Sequence, residues 1–128
     1  MKILLDTVAF LWIILDSPRL TTTVREAFAD PANEVYLSAI STWEIAVKYA
    51  LGRLKLPVRP AEFIPAQREQ HGIQFLPLDE QSTLHVIGLP DIHRDPFDRM
   101  LVCQALMQGL IIATPDAQIS QYPVRVLW

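Results

Sequence analysis

The chain has 128 residues, enough to close one hydrophobic core, and no linker or repeat divides it, so residues 1–128 are predicted to form a single domain. A formal net charge of −3 argues against a protein that binds nucleic acid through overall positive charge. Hydrophobic residues make up 51% of the chain, which is high for one soluble domain and suggests that another chain covers part of its surface.

The first apolar run is too short to cross a membrane. It covers nine residues, 7–15, between Asp6 and Asp16, whereas a transmembrane helix needs about 20 apolar residues. A signal peptide would not carry an aspartate beside its apolar centre. The single cysteine, Cys103, lies in an apolar helical pattern, so we interpret it as a structural thiol. These features predict a cytoplasmic protein that does not enter the membrane.

Short apolar runs alternate with segments of helical period along the chain. The predicted strands are Ile3–Leu5, Val35–Leu37, Gln74–Leu76, Leu110–Ala113 and Val124–Leu127. A short apolar segment lies around Phe10–Leu15, and helices are predicted at Thr22–Ala29, Ser41–Leu51, Ala61–Gln70, Glu80–Ile87 and Pro96–Gln108. Apolar strands that alternate with helices are typical of an α/β fold, here a three-layer α/β/α sandwich with a mostly parallel central sheet.

In such a fold, the carboxyl ends of the strands and the first turns of the following helices share one edge, where ligands bind. Four carboxylates from separate elements are predicted to lie there: Asp6, Glu44, Asp98 and Asp116. Each also has a local explanation, for example a capping box in which Ser41 caps a helix and Glu44 reaches back to its amide. One shared site explains all four positions at once, so we favour an acidic site.

Crowded carboxylates repel one another, and some would become protonated unless a cation lay between them. Mg²⁺ suits such a site because it binds one or two carboxylates and leaves positions for water and phosphate oxygens. The chemistry indicated is hydrolysis of a phosphodiester or a phosphate ester. A zinc site is not indicated, because His71, His85 and His93 belong to unrelated elements.

Other classes of protein share parts of this pattern. A phosphatase could use Asp6 as its nucleophile, but residue 8 is Val and no lysine follows Lys55, so the usual accompanying groups are missing. A binding module whose acidic edge receives a basic partner stays open. If the acids were only helix caps, removing any one of them would cost about 0.5–2 kcal/mol of stability.

Five stretches of the chain carry a family resemblance: "MKILLDTVAFLW", "SAISTWEIAVKYALGRL", "HRDPFDRMLVCQAL", "LIIATPD" and "VRVLW". In this order they closely resemble the PIN domain and, more narrowly, the VapC-type toxins of bacterial and archaeal toxin–antitoxin pairs. The resemblance implies a homodimeric endoribonuclease that depends on Mg²⁺ or Mn²⁺. It also implies that a small cognate antitoxin inhibits the enzyme by placing a basic side chain at the acidic edge.

The resemblance assigns the catalytic and metal-binding positions to the same four acids, with Asp6 and Asp98 as direct ligands and Glu44 and Asp116 completing the site. Asp95 is the nearest rival to Asp98, but it already has a sufficient role as the N-cap of the following helix. A catalytically silent PIN-like module that binds RNA or protein is the alternative.

Three further residues have two interpretations each. Thr7 matches the hydroxyl residue of the family's Asp-Thr/Ser pair, which would steady the site, and an ordinary helix cap is equally open. Lys48 and Arg53 belong to a stretch with four cations and no acid. They are either solvated cations near a helix C-terminus or residues that contact RNA phosphates. Val8 and Pro115 stand where many relatives carry His and Arg, so two donors to RNA are lost.

Overall fold

The computed structural model describes all 128 residues and contains a sheet of five strands. The strands are β1 Lys2–Leu5, β2 Glu34–Ser38, β3 Gln74–Leu76, β4 Ile111–Ala113 and β5 Arg125–Leu127. The helices are α1 Thr7–Ile14, α2 Thr22–Ala29, α3 Ala39–Ala50, α4 Pro60–Gln70, α5 Glu80–His85 and α6 Pro96–Gln108, with 3₁₀ turns at Val86–Gly88 and Ile119–Gln121. The strand order is β3-β2-β1-β4-β5, and every neighbouring pair is parallel. None of the helices has the length and apolar character that crossing a membrane requires.

The central strand β1 shows why helices cover both faces of the sheet. Leu5 packs into one core together with Phe10 of α1, whereas its neighbour Leu4 packs into a second core with Leu101 of α6. A strand that is buried on both faces needs a helical layer on each side. The predicted three-layer sandwich with a parallel sheet is therefore confirmed. Cys103 is fully buried in the second core.

Helix α3 begins earlier than the sequence pattern predicts. Ser38 is its N-cap, because Ser38 Oγ accepts a hydrogen bond from the backbone N–H of Ile40 at 3.0 Å. Ser41 therefore lies inside the helix, and the capping box of Ser41 and Glu44 is wrong. Glu44 lies in the second turn of α3, not the first, so its carboxylate is available for contacts with other elements.

Helix α1 also begins earlier than the apolar segment at residues 10–15 suggested. Asp6 is its N-cap, since Asp6 Oδ1 accepts a hydrogen bond from the backbone N–H of Ala9 at 2.7 Å. Thr7 is the first helical residue, so the interpretation of Thr7 as a helix cap is wrong. Its hydroxyl faces a different partner, described below.

The register of the strands defines the edge at which the candidate site is built. Leu5 of β1 lies opposite Leu37 of β2 and Ala113 of β4. The residues that follow β1 and β4 directly, Asp6 and Thr114, are consequently brought side by side. This is the carboxyl edge of the sheet, where ligands bind in parallel α/β folds.

Candidate metal centre

Asp6 is held at the end of β1 by two hydrogen bonds and is almost completely buried. Its Oδ1 accepts the α1 capping bond from Ala9, and its Oδ2 accepts a hydrogen bond from the hydroxyl of Thr114. Burial raises the pKa of Asp6 to about 6, and these two hydrogen bonds only partly offset the increase. The negative charges of Asp116 and Glu44 raise the pKa of Asp6 further, which places both acids within electrostatic reach of it.

Glu44 points into the same region from α3. Its side chain is only 6% exposed, and its Oε1 accepts a hydrogen bond from Thr7 Oγ1 at 2.6 Å. Its other oxygen forms an ion pair with Lys48, one turn later in α3. The Glu44 carboxylate is therefore held by Thr7 of α1 and by Lys48 of its own helix. Because Thr7 lies on α1, the packing of α1 against α3 determines where this carboxylate lies.

A histidine joins the remaining two acids. His93 Nε2 lies 2.8 Å from Asp116 Oδ2 and 3.1 Å from Asp98 Oδ2, and its side chain is 12% exposed. Asp98 comes from the first turn of α6, whereas Asp116 follows β4. The three ligand-type atoms lie within 4.8 Å of one another. Since Asp116 N–H also donates to Thr114 Oγ1 at 3.0 Å, this group is connected to Asp6 through Thr114.

The pKa values of the two acids beside His93 shift in opposite directions. Burial raises the pKa of Asp98 to about 7, and the charges of Asp95, Asp6 and Glu44 add to this increase. For Asp116, burial acts in the same direction, but hydrogen bonds from His93 and the backbone N–H of Gln118 outweigh it and lower the pKa overall. The pKa of Asp98 is the one that rises because Asp98 is more deeply buried than Asp116, lies closer to other acids and accepts no backbone hydrogen bond.

Asp95 has the structural role that the sequence predicts. Its Oδ1 accepts hydrogen bonds from the backbone N–H groups of Phe97 at 2.8 Å and Asp98 at 3.2 Å, so it is the N-cap of α6. The side chain of Asp98 makes no such bond to the backbone and faces His93 instead. The carboxylate that α6 contributes to the acidic group is thus that of Asp98.

The two predicted RNA contacts occupy different surroundings. Lys48 is paired with Glu44, although its side chain is 45% exposed. Arg53 lies just beyond α3, is exposed, and forms no ion pair or side-chain hydrogen bond. Val8 and Pro115, the two departures from the family pattern, are exposed as well. Arg53 is therefore the cation of this pair that is free to meet a ligand.

Sequence reasoning missed His93 and Thr114. Thr114 could have been found, because it follows β4 directly and so shares the carboxyl edge with Asp6. His93 lies in the irregular segment before α6, where no periodic pattern indicates which way a side chain points. Only its contacts in the folded chain bring it to the acids.

A divalent cation fits the group of residues at this edge. The carboxylates of Asp6, Glu44, Asp98 and Asp116 converge from four elements, and the pKa values of Asp6 and Asp98 are raised first by burial and then by the negative charges of neighbouring acids. Carboxylate oxygens are the ligands that Mg²⁺ and Mn²⁺ prefer.

A family model of the PIN domain matches residues 3–124 of the chain. Because the match covers nearly all of the sequence, the chain belongs to the PIN domain family. A curated relative, Ribonuclease VapC16 of Mycobacterium tuberculosis (strain ATCC 25618 / H37Rv), is 38% identical over 61 residues, which are 48% of this chain. The matched region spans only 43% of that relative's length.

Two solved structures share the fold. VapBC2 from Rickettsia felis, bound to a DNA fragment from its promoter, superposes with a TM-score of 0.73 at 14% identity, over 98% of this chain and 97% of the other. DNA-bound VapBC from Salmonella typhimurium has a TM-score of 0.68 at 20% identity, over 98% and 96% of the two chains. At this level of identity, the similarity establishes the three-layer α/β fold.

Proposed function

We propose that this protein is a metal-dependent endoribonuclease, the toxin of a VapBC-type toxin–antitoxin pair, with residues 1–128 forming one catalytic domain that acts in the cytoplasm. The observation that carries the proposal is the convergence of four carboxylates at one sheet edge in a chain of the PIN domain family. The partial identity to Ribonuclease VapC16 supports RNA as the substrate.

In this proposal, Asp6 and Asp98 hold Mg²⁺ or Mn²⁺ directly, and Glu44 and Asp116 complete the site. The ion, when bound, supplies positive charge to the phosphodiester and lowers the pKa of a water molecule. The remaining work falls to the residues that keep the acids in place. Thr7 donates to Glu44, and the Thr114 hydroxyl donates to Asp6.

RNA would extend from this edge along α3 towards its C-terminal end, beyond which Arg53 lies. Arg53 is exposed and unpaired, so its guanidinium can bind a backbone phosphate without breaking an existing contact. Lys48 stays beside Glu44 and places a second positive charge between the acids and the solvent. The RNA is expected to be recognised through its shape and through unpaired nucleotides.

Two protein partners are also proposed, a small antitoxin and a second copy of the chain. Several large apolar side chains are exposed: Leu15, Trp43, Leu51, Leu84 and Ile87. Each of these side chains is more than half exposed, so covering it with another protein would remove apolar surface from water. The solved VapBC structures share the fold, which supports an assembly of this kind. Light scattering on the purified chain, with and without the antitoxin, measures both associations.

The test uses the purified chain, freed of antitoxin, with a panel of structured RNAs in Mg²⁺ or Mn²⁺ and in EDTA. We expect discrete cleavage that requires metal and falls by about a hundredfold or more in Asp6→Asn and Glu44→Gln, because each removes charge from the site. Glu69→Gln, on the exposed surface of α4, is the matched control and should cleave normally. Intact RNA across the panel, with all variants folded, would instead identify a binding module.

A further inference from the structure

The backbone around His93 is anchored from two sides. The N–H of His93 donates to the hydroxyl of Tyr122 at 2.7 Å, and Arg99 Nη1 donates to the same hydroxyl at 3.2 Å. Arg99 also reaches the carbonyls of His93 and Pro90, at 3.4 and 3.0 Å. The irregular segment before α6 is thus tied to α6 itself and to the C-terminal part of the chain, so the imidazole starts from a fixed position.

A second contact selects the tautomer of the ring. The backbone N–H of Asp95 points at His93 Nδ1 at 3.1 Å, so this nitrogen accepts a hydrogen bond and carries no proton. In a neutral imidazole the proton must then be on Nε2. Nε2 is the nitrogen that lies 2.8 Å from Asp116 and 3.1 Å from Asp98, so an N–H group there donates to Asp116 and lies beside the Asp98 carboxylate.

We infer that His93 is a positioning residue that holds the carboxylate of Asp116 by the hydrogen bond from its Nε2–H group, keeps that of Asp98 beside it, and does not itself bind the metal. Its consequence for catalysis rests on the proposed function. The two acids come from different elements and repel each other, and the positive end of an N–H group within 3.1 Å of both offsets that repulsion. His93 therefore keeps both oxygens facing the site before any cation arrives.

The tautomer is what separates this role from that of a ligand. Three atoms within 4.8 Å could in principle form a nitrogen–oxygen–oxygen site, and such a site would favour transition metals over Mg²⁺. Nε2 could bind a metal only if its proton moved to Nδ1, and the hydrogen bond from Asp95 would then be lost. The geometry favours a metal site made of oxygens alone, with His93 behind it.

The substitutions His93→Gln and His93→Asn test the two ring nitrogens separately. His93→Gln keeps an N–H donor near the place of Nε2, whereas His93→Asn keeps an acceptor near Nδ1 but does not reach the acids. By calorimetric titration with Mn²⁺, we expect the dissociation constant to rise about tenfold or more in His93→Asn and His93→Ala, as for other residues that orient metal ligands. His93→Gln should stay within about threefold of the original chain. His71→Gln, on a histidine outside the site, is the control.

A spectroscopic measurement tests the tautomer in the unmodified protein. In ¹⁵N-labelled protein at pH 7.5, the shifts and proton couplings of the His93 ring should show a proton on Nε2 and none on Nδ1, with and without saturating Mg²⁺. Loss of the Nε2 proton on adding Mg²⁺ would overturn the inference and make His93 a ligand. Unchanged Mn²⁺ affinity in folded His93→Asn and His93→Ala would overturn it as well.

Neither measurement involves RNA, so the two proposals fail separately. A protein that binds Mn²⁺ with the expected order of affinities but leaves RNA intact would refute the nuclease and leave the role of His93 standing. A protein that cleaves RNA while all His93 variants bind Mn²⁺ equally would do the reverse. Thermal unfolding of each variant identifies any that has lost its fold, and the ring measurement on the original chain decides the question without variants.

Discussion

Glu44 shows how one hydroxyl can set the direction of a buried carboxylate. Thr7 Oγ1 donates to Glu44 Oε1 at 2.6 Å, and both residues are buried at the junction of α1 and α3. A hydrogen bond to a charged group contributes about 1.5–3 kcal/mol. Ser41 Oγ lies 3.0 Å from the same hydroxyl, so Thr7 is itself held in place. The orientation of Glu44 thus depends on a neighbouring helix.

Thr7→Val removes this donor and keeps the shape of the side chain. We expect metal-dependent RNA cleavage to fall about tenfold or more, because Glu44 loses the bond that orients it, while Thr7→Ser should retain most of the activity. Initial rates on one labelled RNA at saturating Mn²⁺ measure the effect. Thr83→Val is a suitable control, since that hydroxyl bonds only to a carbonyl of its own helix. A Thr7→Val enzyme as fast as the original would contradict the prediction.

The buried acids also make the stability of the metal-free protein depend on pH. The pKa of Asp6 is raised to about 6 and that of Asp98 to about 7, from an ordinary 3.8. The folded chain keeps protons that the unfolded chain releases, so this stabilisation is complete below about pH 4 and is lost as the pH rises through 6 and 7. We expect the melting temperature in calorimetry to fall by several degrees between about pH 5 and 7.5.

The change of melting temperature with pH can be checked in two ways, with the variant Asp6→Asn and with added Mg²⁺. Asp6→Asn should make this pH dependence shallower, because only Asp98 then contributes to it. Saturating Mg²⁺ should also reduce the pH dependence of the melting temperature. The bound cation stabilises the deprotonated carboxylates, so the folded protein loses less stability as the pH rises. Lys48 pairs with Glu44 and the His93 ring contacts Asp98, and both residues remain in Asp6→Asn. A melting temperature that rises over the same range would rule out the assignment of raised pKa values.

At the scale of the element, α6 carries two aspartates with opposite effects on stability. Asp95 caps the helix with two backbone hydrogen bonds, so Asp95→Ala should lower the free energy of unfolding by about 0.5–2 kcal/mol. Asp98 is a largely buried carboxylate among other acids, so Asp98→Asn should raise that free energy at pH 8 in the absence of metal. Urea denaturation measures both, and destabilisation by Asp98→Asn would contradict the prediction for Asp98.

At the scale of the whole molecule, the net charge is −3, so RNA affinity must come from a local group of cations. Arg53→Gln should weaken binding by a similar factor for all RNAs, and the slope of log K against log salt should decrease by about 1. Binding is measured in the Asp6→Asn background, so that the RNA stays intact. Arg125→Gln, an exposed arginine of β5, is the control. An unchanged slope in Arg53→Gln would exclude Arg53 from the RNA surface.

Much of the architecture follows from local sequence. Apolar runs and helical periods are properties of a few consecutive residues, and all five strands occur where these patterns place them. The parallel topology then requires that residues after the strands share one edge, which is why Asp6 and Asp116 could be assigned to it. The start of α3 was placed wrongly because Ser38 and Ser41 are both good caps, and only one of them could be used.

The details of the site depend on contacts between distant parts of the chain. The bond between Thr114 and Asp6 joins residues 108 positions apart, and His93 reaches Asp116 across 23. No local pattern predicts such pairs, because the two residues meet only when the strands have paired and the helices have packed on the sheet. The sequence by itself determined the fold and the carboxylates at its edge. Which side chains hold those carboxylates, and which nitrogen of His93 carries the proton, was decided by the tertiary structure.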